Sequence, residues 1–250
     1  KDYIRRIAVG ATMPSLNTEL LSKIPVIVPP LPEQRAIAEV LGALDDKIEL
    51  NRRMNATLEA MARAVFREWF VDNPEAEGWE VKKIGDICEF AYGKGLKEDE
   101  RLPGNIPVYG SNGQIGWHNE YLAQGPGIVV GRKGNPGTVK WVSKDFYPID
   151  TTFYVIGREK GTSYYWLYYT LLTQELANLS ADSAVPGLNR NIAYMSDVRY
   201  PPDFLMDDFE SVIKPLFDKI STNNEESRTL AELRDTLLPR LMRGEVRVRM

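Results

Sequence analysis

The chain has 250 residues, 43% hydrophobic and 26% charged, so it can bury a sizeable core and matches neither a disordered nor a fibrous composition. A net charge of −4 argues against a wholly basic nucleic-acid coat, yet a local basic surface can still meet a phosphate backbone. One cysteine, Cys88, excludes an internal disulfide, and a single histidine, His118, leaves no Cys/His zinc constellation.

The N-terminus, Lys1 to Arg6, has no signal-peptide core, and no apolar run approaches the roughly 20 residues of a membrane helix, so a soluble, cytoplasmic protein is expected. Because the chain opens on Lys1 and not on Met, it reads as processed, truncated or one piece of something longer. Residues 1–32 read as the tail of a missing upstream domain, ending in an extended segment at 24–28 and a Pro29-Pro30 stop. A helix is predicted over 33–70, with Pro32 suited to its first position; about 38 residues at 1.5 Å make a rod near 57 Å. Its seam alternates spacings of four and three: Ile37, Leu41, Leu44, Ile48, Asn51, Asn55, Leu58, Ala62, Val65 and Trp69.

Residues 73–188 then change texture to short strands, glycines and aromatics, with strands predicted at 106–109, 127–130, 138–142 and 152–156 and a helix at 163–176. An extended segment follows at 189–204, containing 198–200 and a second stop at Pro201-Pro202. The last helix is predicted over 205–243, kinked near Pro215, with a tail at 244–250. Its seam is Phe209, Ile213, Leu216, Ile220, Asn223, Ser227, Leu230, Arg234, Leu237 and Leu241.

The two ends are copies of each other. Residues 13–70 lie over 185–242 at a constant offset of 172 without a gap. Pro14, Leu16 and Asn17 fall on Pro186, Leu188 and Asn189; Val26, Pro29 and Pro30 on Val198, Pro201 and Pro202; Asp46, Lys47 and Ile48 on Asp218, Lys219 and Ile220. Since the proline matches lie outside both helices, a shared heptad alone does not produce the register. The fold class expected is α+β: one globular domain and two long helices forming an antiparallel coiled coil.

Catalytic motifs are missing. There is no phosphate-binding Gly-Lys-Ser/Thr loop and no Gly-x-Ser-x-Gly elbow. The string Asp72, Glu80, Lys82 imitates a nuclease site, but acid-x-Lys pairs are common and Asp72 lies in a linker. Pro201-Pro202 lacks the preceding Asn or Asp of an amino-methyltransferase loop and has a twin at Pro29-Pro30. Binding chemistry is better represented. Two loops, 110–116 and 131–137, share Gly-x-x-Gly-x-x-Gly, and residues 127–144 carry Arg132, Lys133, Lys140 and Lys144 with no acid among them. Such glycines let a backbone turn tightly and approach a ligand, and the local positive charge suits phosphate.

Taken together, these segments resemble the specificity subunit of type I restriction-modification systems. The residues that carry the resemblance are Pro29-Pro30-Leu31-Pro32-Glu33-Gln34-Arg35-Ala36-Ile37, Leu44-Asp45-Asp46-Lys47-Ile48, Ile106-Pro107-Val108-Tyr109-Gly110-Ser111-Asn112-Gly113, Gly131-Arg132-Lys133-Gly134 and Asp150-Thr151-Thr152. The resemblance implies two target-recognition domains held apart by two long helices, each domain reading half of a bipartite double-stranded DNA target. It implies partners: two modification subunits that bind S-adenosylmethionine and methylate adenine, and a restriction subunit driven by ATP with Mg²⁺. The chain itself would hold no cofactor or metal, perform no catalysis and contact no membrane. Only the second recognition domain, at 73–188, is present, with the central helix at 33–70 and the C-terminal helix at 205–243. A structural coiled-coil adaptor and an enzyme with an unrecognised site are the other readings.

On this basis Arg132, Lys133, Lys140, Lys144, Ser111 and Asn112 are expected to contact the DNA backbone, which positions the protein without choosing sequence. Base contacts are expected among Lys94, Lys97, Arg101, Gln114, Trp117, His118 and Asn119, with Gln114 able to bond an adenine edge. A two-fold axis through the seam centres, residues 53 and 225, pairs residue i with 278 − i, so that Asn55 faces Asn223 and Asn51 faces Ser227. Polar seam residues fix register at a cost in stability, so Asn55→Leu is expected to raise thermal stability and permit slips.

Overall fold

The computed structural model describes residues 17–24, 28–159, 161–179 and 187–248. Most of the predicted extended segment 24–28, and the repeat positions Pro14, Leu16, Val26 and Pro186, lie outside them. The described helices are α1 (Thr18–Ser22), α2 (Leu31–Phe66), α3 (Ile84–Ile87), α4 (Tyr164–Thr173), α5 (Arg190–Tyr194) and α6 (Asp203–Met242). The strands are β1 (Glu80–Lys83), β2 (Cys88–Tyr92), β3 (Ile106–Gly110), β4 (Gly113–His118), β5 (Gly127–Gly131), β6 (Val139–Val142), β7 (Tyr147–Pro148), β8 (Thr152–Gly157) and β9 (Asp197–Tyr200). Two compact units emerge: one of residues up to Leu50 together with those from Glu226 on, the other of Asn51–Glu225.

In the first unit, Asn17 caps α1 by accepting from the Leu20 N–H at 2.8 Å. Helix α2 begins just after Pro29-Pro30, with Pro32 in its first turn, where a missing N–H leaves no helical bond unmade. The two long helices run antiparallel here. Lys47 pairs with Glu226 at 3.1 Å and Asp45 with Arg234 at 2.6 Å, so a step back along α2 is a step forward along α6. Ile37 and Leu241, partners under the 278 − i rule, are both buried.

The second unit repeats this antiparallel order. Asn223 donates its side-chain amide to the Asn55 side-chain oxygen at 2.8 Å, and Asn55 donates to the Asn224 side-chain oxygen at 2.8 Å. Asn51 donates to the Asn223 backbone carbonyl at 3.4 Å. Trp69 and Phe209, again partners under the rule, have ring centroids 6.1 Å apart. The register is as expected, but the buried line drifts. Phe66 and Phe70 are buried, while Val65 and Trp69 are only partly so. A straight helix turns by roughly 20° per heptad relative to a strict 3.5 repeat, so four heptads from Ile37 move the seam forward by nearly one residue. Helix α6 runs through Pro215 without interruption.

The globular part of this unit holds three sheets: the antiparallel pair β1-β9, the antiparallel four-strand order β2-β8-β5-β6, and β4-β3-β7, in which β3 and β7 are parallel. Helix α4, rich in aromatics, covers the four-stranded sheet; Trp166, Leu167 and Leu171 are buried with Ile128, Val130 and Phe153. The same core takes in Ala62 and Phe66 of α2 and Phe70 of the π-helical turn Arg67–Val71 that continues it, with Met206, Phe209 and Ile213 of α6. Cys88 lies in this core, and burial pushes its thiol up to about 12, so it packs as an apolar residue.

The chain enters this part on β1 and leaves it on β9, with Glu80 opposite Tyr200. Of the formal nuclease string, Lys82 keeps a 3.7 Å ion pair with Glu80, while Asp72 pairs elsewhere. Asp72 accepts from Arg67 at 2.8 Å, whereas the Lys82 ammonium bonds both Glu159 oxygens at 2.7 and 2.9 Å and sits 3.9 Å from the Tyr200 ring centre. The hydrogen bond from Lys82 holds the Glu159 carboxyl below its usual value, and the same bond holds Lys82 above its own. A lowered carboxylate pKa stabilises above the unfolded value and loses that contribution as pH falls through the folded one; a raised lysine loses its share only as pH rises through the raised value. The Tm gap between Glu159→Gln and the parent is therefore expected to hold steady across neutral pH and to close below about pH 4. Thermal melts at stepped pH check this, and a gap that widens on acidification would contradict it.

Candidate nucleic-acid interface

The two glycine loops meet at one end of the four-stranded sheet. The Ser111 hydroxyl, in the β3–β4 turn, faces the backbone carbonyls of Lys133 and of Thr151, the latter at 2.6 Å, and the Thr138 hydroxyl donates to the Ser111 carbonyl at 2.8 Å. Three turns, at 110–113, 131–138 and 149–152, are thus laced into one surface. The glycines permit the close approach. A side chain at Gly131 would lie 2.2 Å from the Asn135 carbonyl oxygen, and Gly137 has φ +78° with its missing Cβ position 2.2 Å from the Ala177 nitrogen.

Arg132 is fixed at this end by its backbone, which donates to Thr151 at 2.9 Å and accepts from Leu188 at 2.9 Å. Its guanidinium donates to the Asp150 carbonyl at 2.9 Å and lies 4.9 Å from the centre of the Tyr92 ring. Lys133 is exposed beside it, and Asn112 is exposed in the β3–β4 turn. Lys94, also exposed, follows Tyr92 and ties its backbone N–H to the Pro148 carbonyl at 3.0 Å.

The basic run does not stay together. Lys140, on β6, lines a cavity with Glu59 and Arg63 of α2, and Lys144 pairs with Glu225 of α6 at 2.9 Å. Lys144 thus ties the loop after β6 to a helix through an exposed ion pair. Two further residues of the expected set are buried. Ser111 spends its hydroxyl on the lacing just described, and the buried His118 accepts from the Leu102 N–H at 3.1 Å through Nδ1 while its ring meets Tyr147 edge-on. Both hold loops in place.

Arg101 donates to the Ile115 carbonyl at 2.9 Å, bracing β4, and the Lys97 N–H donates to the Glu100 carboxylate at 3.0 Å. Gln114, Trp117 and Asn119 are exposed on β4 or just after it, with the Gln114 amide reaching the Gly116 carbonyl at 3.3 Å. Tyr92 and Arg190 were missed by sequence reasoning. Tyr92 is half exposed at the end of β2, and the Arg190 guanidinium, opening α5, lies 4.8 Å from its ring centre. Nothing local in the sequence brings residues 92, 132 and 190 together; strand order does.

Among the described residues no helix is long and apolar enough to cross a membrane, and no group of three or more His, Cys, Asp and Glu side chains could hold a metal ion.

Residues 1–60 and 76–192 match the family model described as the type I restriction modification DNA specificity domain. The chain is 26% identical, over 99% of its length, to the specificity subunit of the type I restriction enzyme MjaIX from Methanocaldococcus jannaschii, covering 66% of that protein. It is 23% identical, over 98% of its length, to the specificity subunit of type I restriction enzyme HindI from Haemophilus influenzae, covering 74% of it. The chain thus spans about two thirds to three quarters of the length of these relatives. In fold it is similar to the S subunit of a type I restriction-modification system from M. genitalium, with a TM-score of 0.66 and 20% identity over all of this chain and 70% of that one.

Proposed function

Because the chain belongs to the family of type I restriction-modification DNA specificity subunits, we propose that it reads one half of a bipartite DNA target on behalf of modification and restriction subunits. The observation that carries this reading is the family match across both the first long helix and the globular domain. The laced basic loops at Arg132 and Lys133 support it, as a surface suited to a duplex backbone. In this reading the protein is cytoplasmic and supplies no chemistry of its own. S-adenosylmethionine, ATP and Mg²⁺ belong to the partner subunits, and the two antiparallel helices serve as the scaffold on which two modification subunits assemble.

The test is direct. The purified chain, incubated with DNA, Mg²⁺ and labelled S-adenosylmethionine, is expected to transfer no label, while the same chain assembled with its modification subunits methylates adenine within one defined sequence. Label transfer by the chain alone, or methylation by the assembly without sequence preference, would overturn the reading.

A further inference from the structure

The structure assigns Arg132 and Arg190, both set against the Tyr92 ring, to a clamp for a single phosphodiester group of duplex DNA, an assignment that rests on the DNA-recognition reading above. Both guanidinium carbons lie within 5 Å of the Tyr92 ring centre, at 4.9 and 4.8 Å, which sets them no more than about 10 Å apart. Among the described residues neither charge meets a carboxylate. Arg132 is oriented by the Asp150 backbone carbonyl at 2.9 Å and Arg190 by that of Phe90 at 3.2 Å, both uncharged acceptors.

Several cations elsewhere meet carboxylates, Lys82 with Glu159, Lys83 with Asp197, Lys144 with Glu225 and Arg234 with Asp45, while Arg101 and Arg199 rest on backbone carbonyls. At this end Lys94, Arg132, Lys133 and Arg190 have no carboxylate partner among the described residues. Each guanidinium has five N–H donors and uses one on a carbonyl, leaving donors for the two free oxygens of a phosphodiester. The ring quadrupole holds both cations in place despite their mutual repulsion, and an anion bound between them removes that repulsion. Backbone bonds on both sides of Arg132, and the Asn189 cap in front of Arg190, prepay the ordering of the site.

The experiment uses the chain assembled with its modification subunits, titrated with a cognate and an unrelated duplex of equal length from 50 to 300 mM KCl as stated assay conditions, roughly the range over which counterion release is read. Arg190→Gln and Arg132→Gln are each expected to weaken binding of both duplexes about tenfold and to reduce the slope of log affinity against log salt by about one. Arg190→Lys is expected to keep the parental slope, which separates charge from packing, and Tyr92→Ala to weaken both duplexes while Tyr92→Phe does not. Unchanged affinity and slope in the Gln variants would overturn the clamp and leave DNA recognition standing. Loss confined to the cognate duplex would overturn the phosphate assignment in favour of base reading. A parent assembly that binds neither duplex would overturn the recognition reading itself, and the clamp with it.

Discussion

Phe209→Ala is expected to lower the unfolding free energy of the chain by about 3–5 kcal/mol, the range for emptying a packed aromatic site. Phe209 is fully buried, and its ring lies 5.0 to 6.3 Å from those of Phe66, Trp69, Phe70 and Tyr169. Three of those partners stand at the end of the first long helix and the fourth on α4 of the globular domain, so one side chain joins α2, α6 and the recognition domain. Aromatic contacts of this kind add about 0.5–1.5 kcal/mol each beyond the area they bury. Denaturant melts check the expectation, with Phe204→Ala as the control. Phe204 is 65% exposed, and its removal is expected to change stability by less than about 0.5 kcal/mol. A loss of under about 1 kcal/mol for Phe209→Ala would contradict the packing described.

The second large effect reverses an expectation drawn from sequence. Read as a polar residue in an apolar seam, Asn55 invites replacement by leucine. The structure places the cost elsewhere, because Asn223 is fully buried and one of its donors ends on the Asn55 side-chain oxygen at 2.8 Å. Asn55→Leu alone takes an acceptor from a buried amide and is expected to destabilise by about 1–3 kcal/mol. Asn224, the other partner of Asn55, is exposed and turns to water. With Asn223→Leu added, no amide is stranded at this position, and stability is expected to return to the parental level or above it. Thermal melts of the parent, both single variants and the double variant form the cycle that measures this coupling. A double variant no more stable than Asn55→Leu would refute it.

Much of the scaffold was legible because it is written twice. The offset of 172 residues, with prolines outside the helices, gave the antiparallel register, and Asn55 does meet Asn223. The strands at 106–110, 127–131, 139–142 and 152–157 announced themselves by β-branched and aromatic runs between glycines. The strands β1 and β9 did not. Glu-Val-Lys-Lys is a largely exposed, charged strand whose sheet partner among the described residues lies 114 to 120 residues away. The site was less legible than the scaffold. Residue type identified Arg132 and Lys133 as cations on a glycine loop, but burial decides what a side chain can touch, and burial is a property of the whole fold. Ser111 and His118 look like surface polar residues in the sequence and turn inward; Lys144 looks like a free cation and finds Glu225 81 residues on. Arg190 stands alone among neutral residues, so no local charge pattern drew attention to it.

The pairing of β1 with β9 also bears on how the chain finds its structure. To bring Phe70 against Phe209, an unfolded chain must close a loop of more than a hundred residues, whereas Glu80 and Tyr200 are already neighbours once the globular domain has formed. From the helices' point of view, the folded domain shortens that connection to some twenty residues, about ten on each side, and the logarithmic cost of closure falls by about 2 kcal/mol. Domain-first folding is thus the faster route to the helix pair, and a substitution that slows the sheet delays the distant helical seam as well.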